Sequence, residues 1–292
     1  MSKLLSALIY YLIVIPISYL PFGLLYIISD IVFVVLYYVV GYRKKVVQEN
    51  IAHSFPNLNS EERKDIEKKF YKHFADFLVE SAKSLSISNK SIQERCAIIN
   101  PEMANKHFEQ GKDVIVLCGH YNNWEYYAVG LAQQMKHQVI AAYHPLKNGY
   151  FNEKILQARQ RFGLKMVSMK QVPRFFADPN GKAPTLTVML NDQSPGDPKN
   201  AYWNTFLNQE TGWMRGAEKL AKKYNQVVLF GSIHKKKRGF YEVQFQLISE
   251  NIEVEKEGYV LDKHAELLEK IIRQEPEYWL WSHRRWKHKR PN

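Results

Sequence analysis

The sequence predicts an α/β fold in which helices flank a largely parallel central sheet, with a hydrophobic helical membrane anchor at the N terminus. Two observations support this prediction. Short runs rich in β-branched residues alternate with segments in which apolar residues recur at helical spacing. In addition, residues 4–42 contain a single strongly charged side chain, Asp30.

The strands are predicted from their composition. Five runs have the character of buried strands, at residues 113–118, 138–143, 164–167, 185–190 and 226–230. A sixth run, residues 241–247, alternates apolar and polar side chains and predicts a half-exposed strand.

Helical periodicity follows a capping signal and also fills the intervals between strands. The sequence Asn59-Ser-Glu-Glu62 is typical of a helix N-terminus with a reciprocal acid, and it predicts a helix through about Ala82. Further helical patterns lie at residues 151–162, 213–224 and 261–273.

The N-terminal segment is long enough to cross a bilayer, which needs about 20 apolar residues. Pro16, Pro21 and Asp30 interrupt it, so a tilted span, a re-entrant hairpin and an interfacial anchor all agree with the sequence. A hairpin buried in the protein core is a further alternative. The basic run Arg43-Lys44-Lys45 predicts that the following residues lie on the cytoplasmic side. We therefore divide the chain into an anchor, residues 1–45, and an α/β domain, residues 46–292.

The overall charge points to an anionic partner. Of the 292 residues, 41 are Lys or Arg and 29 are Asp or Glu, which gives a formal net charge of +12. Nucleic acid, membrane lipid and an acidic carrier or substrate all satisfy this charge. Cys96 and Cys118 show no CxxC spacing, so the sequence argues against a disulfide scaffold and for a reducing compartment.

Polar residues follow two of the predicted strands directly. The stretch Cys118-Gly-His-Tyr-Asn-Asn-Trp-Glu125 comes after the apolar residues 114–117, and Asn191-Asp192-Gln193 comes after residues 185–190. Ligands of parallel sheets bind where the strands end and helices begin. Both stretches are therefore candidate parts of one active site.

His120 and Glu125 are five positions apart, and on a continuous helix they would point roughly 140° away from each other. The two side chains can meet if a helix begins between them, capped by Asn122 or Asn123. An ionised carboxylate on one imidazole nitrogen would then leave the other nitrogen free as a general base. A loop histidine bonded only for structure is the competing interpretation.

Several enzyme classes lack their signatures here. The chain contains no G-x-S-x-G, H-E-x-x-H, G-x-G-x-x-G or G-x-x-x-x-G-K-[ST] sequence. His120, Glu125, His144 and Asp192 lack the short spacing of metal ligands, and we predict no metal. A His–acid pair without a protein nucleophile suits activation of a hydroxyl group on the substrate, and hence direct group transfer.

The residues around His120 resemble a known family. The stretch Gly119–Glu125 is similar to the GH-x-x-N-W-E motif of bacterial lipid A late acyltransferases, within the lysophospholipid acyltransferase superfamily. Tyr143-His-Pro145, Arg159-Gln-Arg161, Asp192-Gln193 and the closing stretch Pro276–Lys287 also resemble the family pattern. His144 departs from it, because the family typically has arginine there.

The resemblance implies transfer of a fatty acyl group from a thioester, with acyl carrier protein as the expected donor, to a hydroxyl of a lipid A precursor or a related glycolipid or lysolipid. It implies no cofactor beyond that acyl thioester. His120 is expected to be the base and Glu125 to orient it. Arg159, Arg161 and Gln193 are expected to stabilise the oxyanion, with Asp192 ordering the site. The expected location is the cytoplasmic face of the inner membrane.

Two basic clusters, Lys235–Arg238 and Arg284–Arg290, fit anionic membrane lipid or an acidic carrier better than nucleic acid once an anchor is present. We predict no nucleic-acid partner. A non-catalytic protein that binds anionic lipid and a lipid hydrolase or thioesterase are the alternative functions.

Overall fold

A computed structural model describes residues 3–177 and 183–291 of the chain. Its strands are β1 (Cys96–Ile98), β2 (Val114–Cys118), β3 (Gln138–Tyr143), β4 (Lys165–Ser168), β5 (Thr185–Leu190), β6 (Tyr202–Phe206), β7 (Gln209–Trp213), β8 (Val227–Lys237) and β9 (Phe240–Ser249). Its α-helices are α1 (Lys3–Ile9), α2 (Ile15–Tyr19), α3 (Phe22–Val34), α4 (Lys44–Ser54), α5 (Ser60–Lys83), α6 (Asn89–Arg95), α7 (Glu102–Glu109), α8 (Trp124–Gln134), α9 (Gly149–Gln160), α10 (Val172–Ala177), α11 (Gly216–Lys223) and α12 (Tyr259–Gln274).

Seven strands form one sheet in the order β1-β9-β8-β2-β5-β3-β4. All neighbouring pairs in it are parallel except β8 and β9, which run antiparallel. Strands β6 and β7 form a separate antiparallel hairpin. The predicted α/β fold with a largely parallel sheet is therefore confirmed.

Strand β2 occupies the middle of the sheet, and all five of its residues are buried. A continuous apolar run is expected for a strand that is covered on both faces. Strands β3 and β5 lie where the sequence predicted them, whereas β8 extends seven residues beyond the predicted end at Phe230, to Lys237. Its polar residues pair with β9, so composition alone did not reveal this extension.

The helices and strands predicted from short sequence patterns agree only partly with the structure. The cap of α5 is confirmed, because Asn59 and Glu62 form the reciprocal pair of hydrogen bonds. The helix predicted from residue 213 begins instead at Gly216, since Trp213 ends strand β7. The sequence patterns also missed strands β1, β6 and β7.

The N-terminal segment folds as a helical hairpin, in which short π-helical stretches continue α1 and α3. Residues Phe22–Val40 are long and apolar enough to cross a membrane, with a mean hydropathy of 2.2, and within this stretch only Leu25, Ser29 and Tyr37 are buried. The hairpin is thus no core element. One face of it packs on the domain through buried residues such as Tyr10, Leu25 and Ser29, and the opposite face exposes large apolar side chains.

Asp30, the acidic residue within this hairpin, is paired with the domain. Its carboxylate accepts a hydrogen bond from Arg238 at 2.7 Å, and Arg238 also binds the buried Asp76 at 2.6 Å. Lys235 approaches Asp76 at 3.3 Å. Part of the basic cluster Lys235–Arg238 therefore holds helix α3 against α5 and is not free solvated charge.

Candidate active site

The parallel register brings the two polar stretches together. Strands β2 and β5 are neighbours, with Cys118 level with Leu190. Both strands consequently end at the same edge, and His120 and Asp192 follow them by two residues each. The topology thereby joins side chains that are 72 positions apart in the sequence.

His120 and Asp192 form a close pair. The His120 Nδ1 atom lies 2.6 Å from Asp192 Oδ1, and the backbone N–H of His120 donates to Asp192 Oδ2 at 2.7 Å. The histidine side chain keeps 14% of its surface exposed, whereas the aspartate keeps 2%. Because an ionised carboxylate only accepts, the proton belongs on Nδ1, and Nε2 is left with its lone pair.

Gly119 permits this approach. A Cβ atom at this position would lie 2.7 Å from a methyl carbon of Leu268 and 3.1 Å from Asp192 Oδ2. The carboxylate and α12 could not both keep their places beside a larger residue. The glycine before the histidine is thus explained by space around the aspartate.

The two asparagines of the motif perform different local tasks. Asn122 adopts the left-handed conformation with φ of 53°, which asparagine tolerates better than most residues. Asn123 caps α8, and its side chain accepts from the N–H of Tyr126 at 2.9 Å. Helix α8 begins at Trp124, so the predicted helix start between His120 and Glu125 is confirmed.

Glu125 has a different partner from the one expected. Arg159 on α9 donates to both oxygens of Glu125, at 3.0 Å from Nε and 2.6 Å from Nη2. Both ring nitrogens of His120 face other groups, Asp192 and Gln193. The expectation that Glu125 orients the imidazole is corrected, and Asp192 occupies that position because strand order outweighs nearness in sequence.

The other expected donors separate in space. Gln193 Nε2 lies 3.2 Å from His120 Nε2, within the site. Arg161 donates instead to the carbonyl oxygens of Ser84 and Ile87, at the end of α5. The geometry gives no support to Arg161 as an oxyanion donor, because two carbonyls hold its guanidinium elsewhere.

A segment near the C terminus completes the site. The Trp279 indole N–H donates to Asp192 Oδ2 at 2.8 Å. Backbone hydrogen bonds also join this segment to the loop between β2 and α8, from Leu280 N–H to His120 O and from Asn122 N–H to Tyr278 O. Sequence reasoning placed no function on Trp279. The signal available was the aromatic stretch Tyr278-Trp-Leu-Trp281.

These contacts set the charge of Asp192. Burial alone would raise the pKa of this carboxyl, but the charge and hydrogen bonds of His120, together with the Trp279 indole, outweigh burial and lower the pKa well below its usual range. Asp192 is therefore ionised at neutral pH. An ionised aspartate stabilises the imidazolium that forms when Nε2 accepts a proton.

An apolar cavity of about 220 Å³ adjoins the pair Glu125–Arg159. The hairpin, the end of α5 and helix α9 supply its remaining walls: Tyr10, Val14, Ser81, Ala82, Ser84, Leu85, Phe151, Ile155 and Ala158. One end is therefore charged and the rest mostly apolar. This shape and lining suit a hydrocarbon chain with a polar group at one end.

The structure also locates the residues considered as metal ligands. His144 is exposed beyond the end of β3. Within residues 3–177 and 183–291, no three His, Cys, Asp or Glu side chains come together as a metal site would require. The absence of a metal from the reaction stays a prediction.

The carboxyl edge of the parallel sheet thus carries a histidine paired with an ionised aspartate. An apolar cavity adjoins the neighbouring Glu125–Arg159 pair. The family model for bacterial lipid A biosynthesis acyltransferases matches residues 2–288. The chain thus belongs to that family and is an acyltransferase, which confirms the resemblance. A search of curated proteins finds no match.

Proposed function

We propose that this protein transfers a fatty acyl group from an acyl thioester, carried by acyl carrier protein, to a hydroxyl of a lipid A precursor. The family supports acyl transfer in lipid A biosynthesis. The observation that carries the mechanism is the partly exposed His120 ring with Asp192 bound to Nδ1. This arrangement leaves Nε2 facing the site as a base.

The reaction begins when Nε2 of His120 takes the proton of the acceptor hydroxyl. The hydroxyl oxygen attacks the thioester carbonyl carbon, and the resulting tetrahedral intermediate collapses by breaking the C–S bond. The proton then passes from Nε2 to the departing thiolate. No covalent acyl-enzyme forms, and general-base catalysis of this kind contributes about 10²–10⁴-fold.

Arg159 and Gln193 are the candidate donors to the oxyanion. Arg159 is fixed by Glu125 at the charged end of the cavity, and its remaining N–H groups can reach a substrate oxygen. The Gln193 amide lies beside His120 Nε2, so it contacts either the arriving hydroxyl or the carbonyl. Donors held in place before reaction are the ones that stabilise developing charge most.

The cavity is the proposed site of the acyl chain. Tyr10 and Val14 of the hairpin form one of its walls, so the chain would lie between the anchor and the catalytic domain. The exposed apolar face of the hairpin supports attachment to the cytoplasmic face of the inner membrane. The exposed positive residues would then face anionic lipid and the acidic carrier.

The test is an assay with labelled acyl carrier protein and lipid A precursor in vesicles. We expect label in the lipid, and we expect His120→Ala to lower the rate by at least about 100-fold. His53→Ala is the matched control, because His53 is an exposed histidine at the end of α4. Full activity in His120→Ala would remove this histidine from the mechanism.

The same assay separates the competing functions. Label released as free fatty acid would identify a hydrolase or thioesterase, and binding to anionic vesicles without any turnover would identify a lipid-binding protein. Mass spectrometry of lipids from cells lacking the protein tests the acceptor. Unchanged lipid A in those cells would refute the assignment of lipid A precursor as acceptor.

A further inference from the structure

A fully buried carboxylate lies behind the catalytic loop. Glu80, on α5, has no exposed surface. Its Oε2 accepts hydrogen bonds from Asn123 Nδ2 at 2.6 Å and from the Tyr241 hydroxyl at 2.7 Å. Its Oε1 accepts from the Tyr26 hydroxyl at 2.9 Å. Three donors from separate parts of the chain thus meet on one side chain that touches none of the reacting groups described above.

The bond to Asn123 fixes the start of helix α8. The Asn123 amide uses its oxygen to accept from the N–H of Tyr126 and its nitrogen to donate to Glu80. If the amide were rotated by half a turn, its oxygen would face the Glu80 carboxylate and its NH₂ group would face the N–H of Tyr126. Both hydrogen bonds would then be lost, because two acceptors or two donors cannot pair. Glu80 therefore determines the orientation in which Asn123 caps the helix.

The bond to Tyr26 reaches the membrane hairpin. Tyr26 lies on α3, within the apolar stretch Phe22–Val40. Its ring lies under the guanidinium of Arg238 at 4.4 Å, and a side chain at Gly239 would collide with its hydroxyl. The Tyr26 hydroxyl is therefore tightly packed against Gly239. It can reach Glu80 only while α3 is packed on α5.

Burial has the largest influence on this carboxyl and raises the pKa of Glu80, while the hydrogen bonds from Tyr241, Asn123 and Tyr26 oppose it. A buried acid is costly unless donors surround it. A leucine could fill the same space in a purely structural role. The arrangement of donors thus points to a task that needs an acceptor at this place.

We propose that Glu80 is a positioning residue for acyl transfer, acting through Asn123 on the start of α8. Through that helix start it holds the His120 loop on one side and Glu125 on the other. Through Tyr26 it links the same geometry to the docking of α3. This proposal rests on the proposed function, and its tests include measurements made without substrate.

The first test exchanges donor and acceptor. Asn123→Asp keeps an oxygen to cap α8 but places a second carboxylate against Glu80. We expect the kcat of this variant to fall about 100-fold, with the KM for the acyl donor changed by less than about twofold. Adding Glu80→Gln restores a donor between the two side chains, and we expect it to recover about tenfold in kcat.

A merely structural role for Glu80 predicts a different outcome. The second substitution would then add its own loss to the first, and kcat would fall further. Unfolding by urea separates folding from positioning, because the rescued double variant and Glu80→Gln alone should unfold at similar concentrations. Absence of rescue in a folded double variant would overturn the proposal.

The second test concerns the membrane helix. Tyr26→Phe removes one donor to Glu80, and we expect amide hydrogen exchange in residues 124–127 to accelerate about tenfold and kcat to fall by a similar factor. Tyr38→Phe is the matched control, since Tyr38 lies on the same apolar segment and is 61% exposed. We expect no change in either quantity for the control.

The outcomes of the two proposals are distinguishable. A wild-type protein that transfers no acyl group would refute the proposed function, whereas exchange in residues 124–127 would still report the link to Tyr26. Exchange in Tyr26→Phe equal to that of the wild type would overturn the role of Glu80, even if the wild type is fully active.

Discussion

Two pairs of hydrogen-bonded polar side chains lie at the same edge of the sheet and are built in different ways. His120 and Asp192 come from loops after adjacent parallel strands. The aspartate accepts three hydrogen bonds, and its side chain is 2% exposed. Glu125 and Arg159 come from two helices, α8 and α9, and are 18% and 23% exposed beside the cavity.

The difference separates two requirements of catalysis. Proton transfer needs a base whose orientation and tautomer are fixed, and the sheet together with Trp279 provides that for His120. Substrate binding needs charges that a ligand can reach, and the two helices provide them next to an apolar space. Glu125, the acid nearest to His120 in sequence, therefore lies at the cavity that we propose holds the acyl chain.

Asp192→Asn should have the largest effect of the changes that test this comparison. The asparagine amide can donate to Nδ1, which would place the proton on Nε2 and remove the base. We expect kcat to fall by about 10³-fold or more, in assays of the purified protein. Asp113→Asn is the matched control, because Asp113 binds Thr185 at the opposite edge of the same strands. Equal losses in both variants would mean that Asp192 has only a structural role.

Glu125→Gln should have a smaller effect, and mainly on the acyl donor. The neutral amide holds Arg159 through one oxygen instead of two, so the guanidinium loses its fixed position. We expect the KM for the donor to rise about tenfold and kcat to fall less than in Asp192→Asn. A Glu125→Gln variant as slow as Asp192→Asn, with unchanged KM, would place Glu125 with the base instead.

Trp279→Phe should have the smallest effect and should depend on pH. The pKa of Asp192 is lowered in the folded state, so its stabilisation is present at neutral pH and is lost as the pH falls through that folded pKa. Removing the indole N–H reduces the lowering, and we expect about 1–2 kcal/mol less stability at pH 7.

Urea unfolding at a series of pH values tests this prediction. The difference between Trp279→Phe and the wild type should shrink as the pH falls below the ordinary range of aspartate. Trp281→Phe is a suitable control, because the Trp281 indole donates to the carbonyl of Pro276 and not to Asp192. A difference that is constant with pH would show that the indole acts through packing alone.

Features that depend on local patterns were predictable. The sheet, the apolar N-terminal segment, the cap at Asn59 and the break before α8 all follow from periodicity or from residues a few positions apart. The arrangement of the N-terminal helices was left open by the sequence. His120 and Asp192 were both recognised, since each directly follows an apolar run. The sequence could not pair them correctly, because the pairing depends on β5 lying beside β2.

Long-range contacts account for the remaining differences. Arg159 lies on α9 and Arg161 directly follows that helix. Arg159 binds Glu125, whereas Arg161 donates to carbonyl oxygens at the end of α5. Helical periodicity alone could not show which of the two arginines binds Glu125, because that depends on where α9 lies in the fold. The role of Trp279 could not be predicted for a similar reason, since its hydrogen bond to Asp192 joins residues 87 positions apart.

The contact of Trp279 with Asp192 also has a consequence for timing during biosynthesis. His120 is translated 159 residues before Trp279 (279 minus 120). At about 5–20 residues per second, the ribosome needs roughly 8–30 s to make the intervening chain. The hairpin at residues 3–40 is complete well before that moment. The N-terminal apolar segment can therefore meet a bilayer before the hydrogen bond between Trp279 and Asp192 is able to form.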